Sequence, residues 1–433
     1  MNAPLRRRRA PLWRALALCG LLAFAASGCT GASAVEEWDA RGVTSQPIAP
    51  LPSITVVAAG PPTTTRAPEP TGPPRPVADA PEPTPPAPRP GSEPGFAGRG
   101  TGVVARGGAE LRPERSGEPV ATVREGVMLP GLGQSTDGRW TRVLTTCDQE
   151  MWLPTARVHA TPPAPPGPIG AGFDFGDAVI VVDAGHGGPV NTGAQSPGGV
   201  VEKENNLLIA ARLRDLLERP STIDWETGAI HDGSAIPAAR RVIMTRVGDG
   251  PAGDYEAGLT FRATVANTAA AHALVSIHTN AGWDRDTELP GSDVYYQSQR
   301  DVTKDSRRLA KLMVEELRRG LTPFEADWVG TTLMGAKSRL SPRTGGQYYG
   351  ILDDASVPAV IAEGAYIANP SEGELLETPE FQQAYADAMY RALVRFLTTD
   401  DPGRAPSHDP EVWYGAVFRG GPQPDCEVPQ QDS

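Results

Sequence analysis

The chain has 433 residues, with 48 glycines, 45 prolines and a formal net charge of -12. An acidic balance of this size argues against a nucleic-acid binder, which carries a basic face. The length allows two or three domains, and the unevenly placed prolines make much of the chain linker.

The first segment reads as an export signal. Arg6 to Arg9 form a basic region, and Ala15 to Ala26 a short apolar core. That core is well below the ~18 residues a membrane span needs. It ends in Ala26-Ser-Gly-Cys29, which resembles a bacterial lipobox. The resemblance implies that Cys29 becomes the lipidated first residue, anchoring an exported protein to the outer face of the cell membrane. The alternative is ordinary signal cleavage and secretion. Cys147 and Cys426 are then the remaining thiols, and a bridge between them is plausible in an oxidising compartment.

Residues 30–100 repeat Glu-Pro, Pro-Pro and Arg-Pro steps. Little there can be buried, so an extended, partly polyproline spacer is expected. Residues 101–160 change character. Short runs such as Val120-Ala-Thr-Val123 and Trp140-Thr-Arg-Val-Leu144 are punctuated by Gly126, Gly131, Gly133 and Gly138. Closely spaced strands with glycine turns predict a small β-barrel. The order Ala109-Glu-Leu-Arg-Pro113, Glu125-Gly126, Gly138-Arg-Trp140, Met151-Trp152 resembles a bacterial SH3-like domain. Such a domain either binds cell-wall peptide or serves as a spacer with Trp140 and Trp152 in its core. A second linker, 161–176, follows.

From 177 to 399 strands alternate with helices. Val179 to Val182 reads as a buried strand, followed by a helix over 203–219 with Ile209, Leu213, Leu216 and Leu217 on one face. Strands are expected over 241–246, 274–280, 292–297, 348–352 and 359–362, with helices around 261–271 and through Leu309, Leu312, Met313 and Leu317. Phe381, Ala384, Tyr385, Ala388, Met389 and Ala392 mark the buried face of a last helix. This alternation predicts an α/β domain with a mostly parallel sheet flanked by helices. Ser221 to Ala239 reads as a polar surface insertion. Lys337, Arg339 and Arg343 lie in a Gly/Ser-rich stretch that is either a solvated loop or a cleft border able to meet a substrate carboxylate. Residues 400–433 are expected to be a poorly ordered tail.

The chemistry-bearing residues stand at the ends of these strands. His186 follows Val179-Ile-Val-Val182 among glycines, His278 ends Leu274-Val-Ser-Ile277, and Glu363 ends Pro358-Ala-Val-Ile-Ala362. Strand carboxyl ends are where open α/β sheets bind ligands. With Glu202 these residues supply the inventory of a zinc hydrolase: three protein ligands and a base. Glu204 competes with Glu202 for the carboxylate position. Asp183 is a candidate partner orienting a ligand imidazole, and Arg246 a tie for a loop.

The motifs Val182-Asp-Ala-Gly-His-Gly-Gly188, Glu202-Lys-Glu-Asn-Asn206, Ile243-Met-Thr-Arg246, Ser276-Ile-His-Thr-Asn280 and Val360-Ile-Ala-Glu-Gly-Ala-Tyr-Ile-Ala-Asn-Pro370 occur in an order that resembles the zinc-dependent N-acetylmuramoyl-L-alanine amidases of the Ami type. The likeness spans 177–399 and implies a phosphorylase/hydrolase-like amidase domain. It implies His186, Glu202 and His278 as zinc ligands, Glu363 as the catalytic carboxylate, and peptidoglycan as the substrate, cut between N-acetylmuramic acid and L-alanine. Three places depart from the family pattern. Pro189-Val-Asn191 stands where an Asp is usual, Gly-Ala-Tyr-Ile-Ala-Asn369 where Gly-Phe-Leu-Ser-Asn is usual, and Asp353-Asp354 near a usual Arg. Rival readings are a zinc peptidase cutting within the stem peptide and a non-catalytic wall-binding or regulatory protein.

Overall fold

The computed structural model describes residues 100–414 apart from 105–106, 124–126, 162–163, 165–166, 189–190, 249–257, 282–290 and 325–334. Cys29, the spacer before residue 100 and Cys426 lie outside the described residues. Seven short strands come first: β1 (Gly100–Val104), β2 (Ala109–Leu111), β3 (Ala121–Val123), β4 (Met128–Gln134), β5 (Trp140–Leu144), β6 (Glu150–Pro154) and β7 (Val158–Thr161). Five of them form an antiparallel sheet in the order β6-β5-β4-β1-β7, and β2 pairs with β3. The tight turn between β5 and β6 carries Asp148 at φ 55, a left-handed conformation that Asp tolerates better than most residues.

The chain then enters an α/β arrangement. Its elements are β8 (Val179–Ala184), α1 (Glu202–Leu217), β9 (Ser221–Ile223), β10 (Ile230–Asp232), β11 (Arg241–Met244), α2 (Leu259–Thr268), β12 (Ala273–Asn280), β13 (Asp293–Tyr296), α3 (Thr303–Leu321), β14 (Gly335–Lys337), β15 (Arg339–Leu340), α4 (Gly350–Asp354), β16 (Ala359–Tyr366), α5 (Pro370–Leu376), α6 (Pro379–Thr398) and β17 (Glu411–Val412). Six strands make the main sheet in the order β11-β8-β12-β16-β13-β14. All neighbours are parallel except β13 against β16.

The run Val179-Ile-Val-Val182 is buried on both faces, which is why it is continuously aliphatic rather than alternating. Ile180 and Val182 join the cluster that holds Leu213 of α1, Met313 of α3 and Met389 of α6. Val179 and Val181 join a second cluster with Phe261 of α2 and Leu352 of α4. Leu129, Val143 and Leu153 of the small sheet belong to that same second cluster. Helices α1, α3 and α6 therefore cover one face of the main sheet, and α2, α4 and the small sheet cover the other. Each fully buried Leu, Met or Phe contributes about 1.5–3 kcal/mol. Among the described residues no helix is long and apolar enough to cross a membrane.

Three sequence expectations change. The stretch expected as a strand over 348–352 is instead the single-turn helix α4, because adjacent Ile351 and Leu352 are both buried, which an alternating strand does not provide. The 221–239 insertion contains the β9–β10 hairpin, with Ile223 buried and Ser221 Oγ 2.7 Å from Tyr390 OH. Residues 400–414 pack on the domain: β17 pairs with β15, Asp401 accepts from Arg395 (2.6 Å), and Tyr296 OH donates to His408 O (2.9 Å). Cys147 is disulfide-bonded.

The charge that fixes the main sheet's carboxyl edge is Asp183, 1% exposed on β8. Its oxygens accept from Arg262 of α2 (2.6 Å), Ser276 of β12 (2.5 Å) and Thr245, just after β11. Burial opposes its ionisation, but Arg262 and the two hydroxyls outweigh burial and hold the carboxyl below its ordinary 3.8. A lowered folded pKa contributes stability that is fully present above about pH 3.8 and is lost as pH falls through the folded value. Asp183→Asn leaves Arg262 buried and uncompensated, so chemical denaturation at pH 7 should show a loss of about 3–5 kcal/mol. The gap to wild type should narrow below pH ~3.8; stability curves that stay parallel there would show that Asp183 is not the titrating group.

Candidate metal centre

His186 leaves β8 through a turn that only a few residue types can make. Its φ is 62, and Gly187 and Gly188 follow at 135 and 73. A non-glycine residue in the left-handed region costs energy and persists where the surroundings hold it. Here two arginines hold the turn. Arg262 donates to Ala184 O (2.9 Å) and His186 O (2.8 Å). Arg246 donates to Ala184 O (2.8 Å), Gly185 O (2.9 Å) and Lys203 O (2.6 Å). The expected loop tie is thus present at Arg246, while Arg262 is one that nothing in the sequence singled out.

Glu202 opens α1, and both its oxygens are tied to backbone. Oε2 accepts from Ala194 N (2.8 Å) and Oε1 from Thr279 N (3.1 Å). Oε1 also lies 3.1 Å from His186 Nε2 and 3.2 Å from His278 Nδ1. The imidazole centroids are 4.7 Å apart at an interplanar angle of 73°. One donor atom from each of the three residues lies within 4.8 Å of the others, so the fold brings together three groups that are 16 and 76 residues apart in sequence. Glu204 is exposed and outside this group. The flanking glycines admit no side chain: a Cβ on Gly185 would overlap the His278 imidazole, and one on Gly193 would sit 2.5 Å from Glu202 Oε2.

Two imidazoles and a carboxylate converging from one side form a borderline-soft nitrogen and oxygen donor set, which suits zinc. Burial opposes ionisation of Glu202, yet the two imidazoles hold its carboxyl well below the ordinary range. It is therefore a carboxylate, the form a metal needs.

Asp183 does not meet an imidazole; it is spent on Arg262, Thr245 and Ser276. The group beside His186 is Asn191, whose Oδ1 is 2.6 Å from Nδ1. It lies just where the chain departs from the family's usual Asp, which was the available signal. An amide oxygen there fixes which ring nitrogen faces Glu202.

Glu363 lies on β16 directly opposite His278 of β12 and Asp293 of β13. Register partners on neighbouring strands point to the same face. Its side chain is buried, and Oε2 has no hydrogen-bond partner. Burial pushes its carboxyl well above the ordinary range, with Glu202 and Asp293 adding to the rise and Arg339 opposing it. The basic residues of the 337–343 stretch are divided. Lys337 pairs with Asp293 (2.7 Å), while Arg339 donates to Tyr349 OH (2.8 Å) between the Tyr295 and Trp413 rings. Arg343 is exposed.

The Asn191 contact generates a prediction. Outer partners of metal-bound histidines change metal affinity by about 10–100-fold. Asn191→Ala should weaken zinc binding within that range, and Asn191→Asp should restore it. Competition against a chromogenic chelator measures both, and unchanged affinity in Asn191→Ala would remove Asn191 from the site.

A family model described as N-acetylmuramoyl-L-alanine amidase matches residues 231–395. His278 and Glu363 fall inside that match; His186 and Glu202 precede it. The germination-specific N-acetylmuramoyl-L-alanine amidase of Bacillus subtilis (strain 168) is 29% identical over 229 residues, covering 51% of this chain and 80% of that protein. The N-acetylmuramoyl-L-alanine amidase AmiA of Escherichia coli (strain K12) is 25% identical over 307 residues, covering 66% of this chain and 96% of that protein. Among solved structures, an N-acetylmuramoyl-L-alanine amidase from Clostridium difficile 630 aligns at 21% identity with a TM-score of 0.39, over 52% of this chain and 98% of that one. The chain is similar, over about half its length or more, to N-acetylmuramoyl-L-alanine amidases.

Proposed function

We infer that this chain is a peptidoglycan hydrolase, an N-acetylmuramoyl-L-alanine amidase that cuts the amide between N-acetylmuramic acid and the L-alanine of the stem peptide. The observation that carries the reading is the convergence of His186, Glu202 and His278 beside a buried, unpartnered Glu363 oxygen. The family match and the named relatives agree with it.

In this reading His186, Glu202 and His278 hold zinc. Bound there, the ion supplies Lewis acidity toward the scissile carbonyl and lowers the pKa of an attacking water. Glu363, whose Oε2 has no partner among the described residues, would take the water's proton there and return it to the leaving amine of L-alanine. A carboxyl whose pKa is raised by burial suits both halves of that transfer. Thr279 N and Ala194 N keep the Glu202 oxygens in place, and Tyr385 OH braces the strands through Ala362 O (2.8 Å) and His278 O (3.2 Å). The antiparallel sheet over 100–161 is read as an SH3-like module. Export rests on the sequence of residues 1–29, with Cys29 as the acylated anchor.

Mutation should separate these roles. His186→Ala or His278→Ala should lose zinc and activity together. Glu363→Ala should keep zinc and lose at least ~10²-fold in turnover, as removing a general base does. Metal content and stem-peptide release from purified peptidoglycan measure this. Release of a peptide shorter than the full stem would replace the amidase with a stem-cutting peptidase. Zinc loss in Glu363→Ala would make Glu363 a ligand.

The anchor is tested separately. Cys29→Ser should move the mature protein from the membrane fraction to the soluble one, since acyl chains supply the affinity. An unacylated N-terminus beyond Cys29, found by mass spectrometry, would rule the anchor out.

A further inference from the structure

Helix α2 carries Arg262, and Arg262 neutralises Asp183 and holds the carbonyls of Ala184 and His186. Yet α2 is only ten residues long and has no cap of its own, since its N-cap is Gly258, which has no side chain. A helix of this length is marginal without outside support. Both of its ends are held by residues that precede the main sheet. At the N-terminus, Asp148 of the β5–β6 turn accepts from Gly258 N (2.5 Å) and Phe261 N (2.6 Å). At the C-terminus, Ala164 N donates to Ala269 O (2.8 Å).

The turn that presents Asp148 is itself tightly fixed. Asp148 N donates to Thr145 O (3.0 Å), Thr145 Oγ1 accepts from Cys147 N and Gln149 N (both 3.3 Å), and Cys147 is disulfide-bonded. A Cβ on Gly258 would lie 3.1 Å from Thr146 O, so the turn sits directly on the helix start. A carboxylate accepting from orphan amides at a helix N-terminus stabilises the first turn by hydrogen bonding and by the helix dipole. Arg262 is the residue after Phe261, within that first turn.

We propose that Asp148, carried by the small antiparallel sheet, is a positioning residue for the His186 turn, acting through the first turn of α2 and Arg262. The small sheet is then part of the machinery that shapes the metal centre. Loss of Asp148 lets the first turn of α2 fray, Arg262 loses its fixed place, and the strained His186 backbone relaxes. The zinc and turnover arms of the test rest on the amidase reading; the amide-exchange arm does not.

The test uses the full chain. Asp148→Gly removes both acceptors while keeping a residue that tolerates φ 55. Asp148→Asn keeps an acceptor and the turn. Thr378→Ala removes the cap of α6, where Thr378 Oγ1 accepts from Phe381 N, and serves as the control for general loss of stability. In metal-free protein, Asp148→Gly should speed hydrogen exchange at the Gly185 and Gly187 amides by about tenfold, the scale of a lost cap. It should weaken binding of zinc alone by about tenfold and lower kcat with KM unchanged. Asp148→Asn should recover most of each change, and Thr378→Ala should produce none of them. Unchanged exchange in Asp148→Gly would overturn the proposal, as would the same changes in Thr378→Ala. Failure of the wild type to release stem peptide would sink the amidase reading instead, and the exchange result would still decide the role of Asp148.

Discussion

A carboxylate buried beneath the end of a sheet must be neutralised, and Asp183 is neutralised by one guanidinium from a short helix. Much of the site follows from that need. Arg262 has to arrive from α2, and its remaining N–H groups then fall on the carbonyls that lead into His186. Ser276 and Thr245 complete the shell around the carboxylate, so the exits of β8, β11 and β12 are tied to one anion. The His186 turn thus takes its shape from a charge that itself touches neither imidazole nor Glu202.

The two glutamates at the centre show how placement moves the pKa of one residue type in opposite directions. Glu202 meets two imidazoles and two backbone amides, which favour its anion. Glu363 is buried, with Glu202 and Asp293 nearby and no donor on Oε2, and these raise its pKa. The antiparallel direction of β13 matters here. It puts the first residue of that strand, Asp293, opposite Glu363 toward the carboxyl end of β16, where a parallel strand would place one of its last. Lys337 is drawn to Asp293 and leaves the Glu363 carboxyl without a direct cationic partner among the described residues.

Much of this was legible in sequence because strand-end chemistry is local. An aliphatic run followed by Gly-His-Gly, or by Glu-Gly, marks both the strand and the side chain that leaves it. The strands leading to His186, His278 and Glu363 could be read from such runs, whereas Glu202, which opens a helix, was placed by the motif around it; the structure brings His186, Glu202 and His278 together. What could not be read depends on contacts between distant segments. Asp183 looks like an imidazole partner in sequence, because a carboxylate three residues from a histidine gives no hint of an arginine 79 residues on. Asp148 carries no such mark in sequence; that it caps α2 depends on how the β5–β6 turn packs on that helix. The Tyr348 to Leu352 run failed differently, since paired apolar residues fit one helical turn as well as a strand.

The left-handed backbone at His186 gives the three corners of the centre unequal freedom of exchange. Glu202 sits in the first turn of a helix and His278 in a strand, where a cysteine, an aspartate or a histidine can be accommodated without backbone penalty. At position 186 the same exchange is confined to side chains that accept positive φ, chiefly asparagine and aspartate. A softer, thiolate-rich donor set can therefore be built at two of these positions, and the third corner stays imidazole.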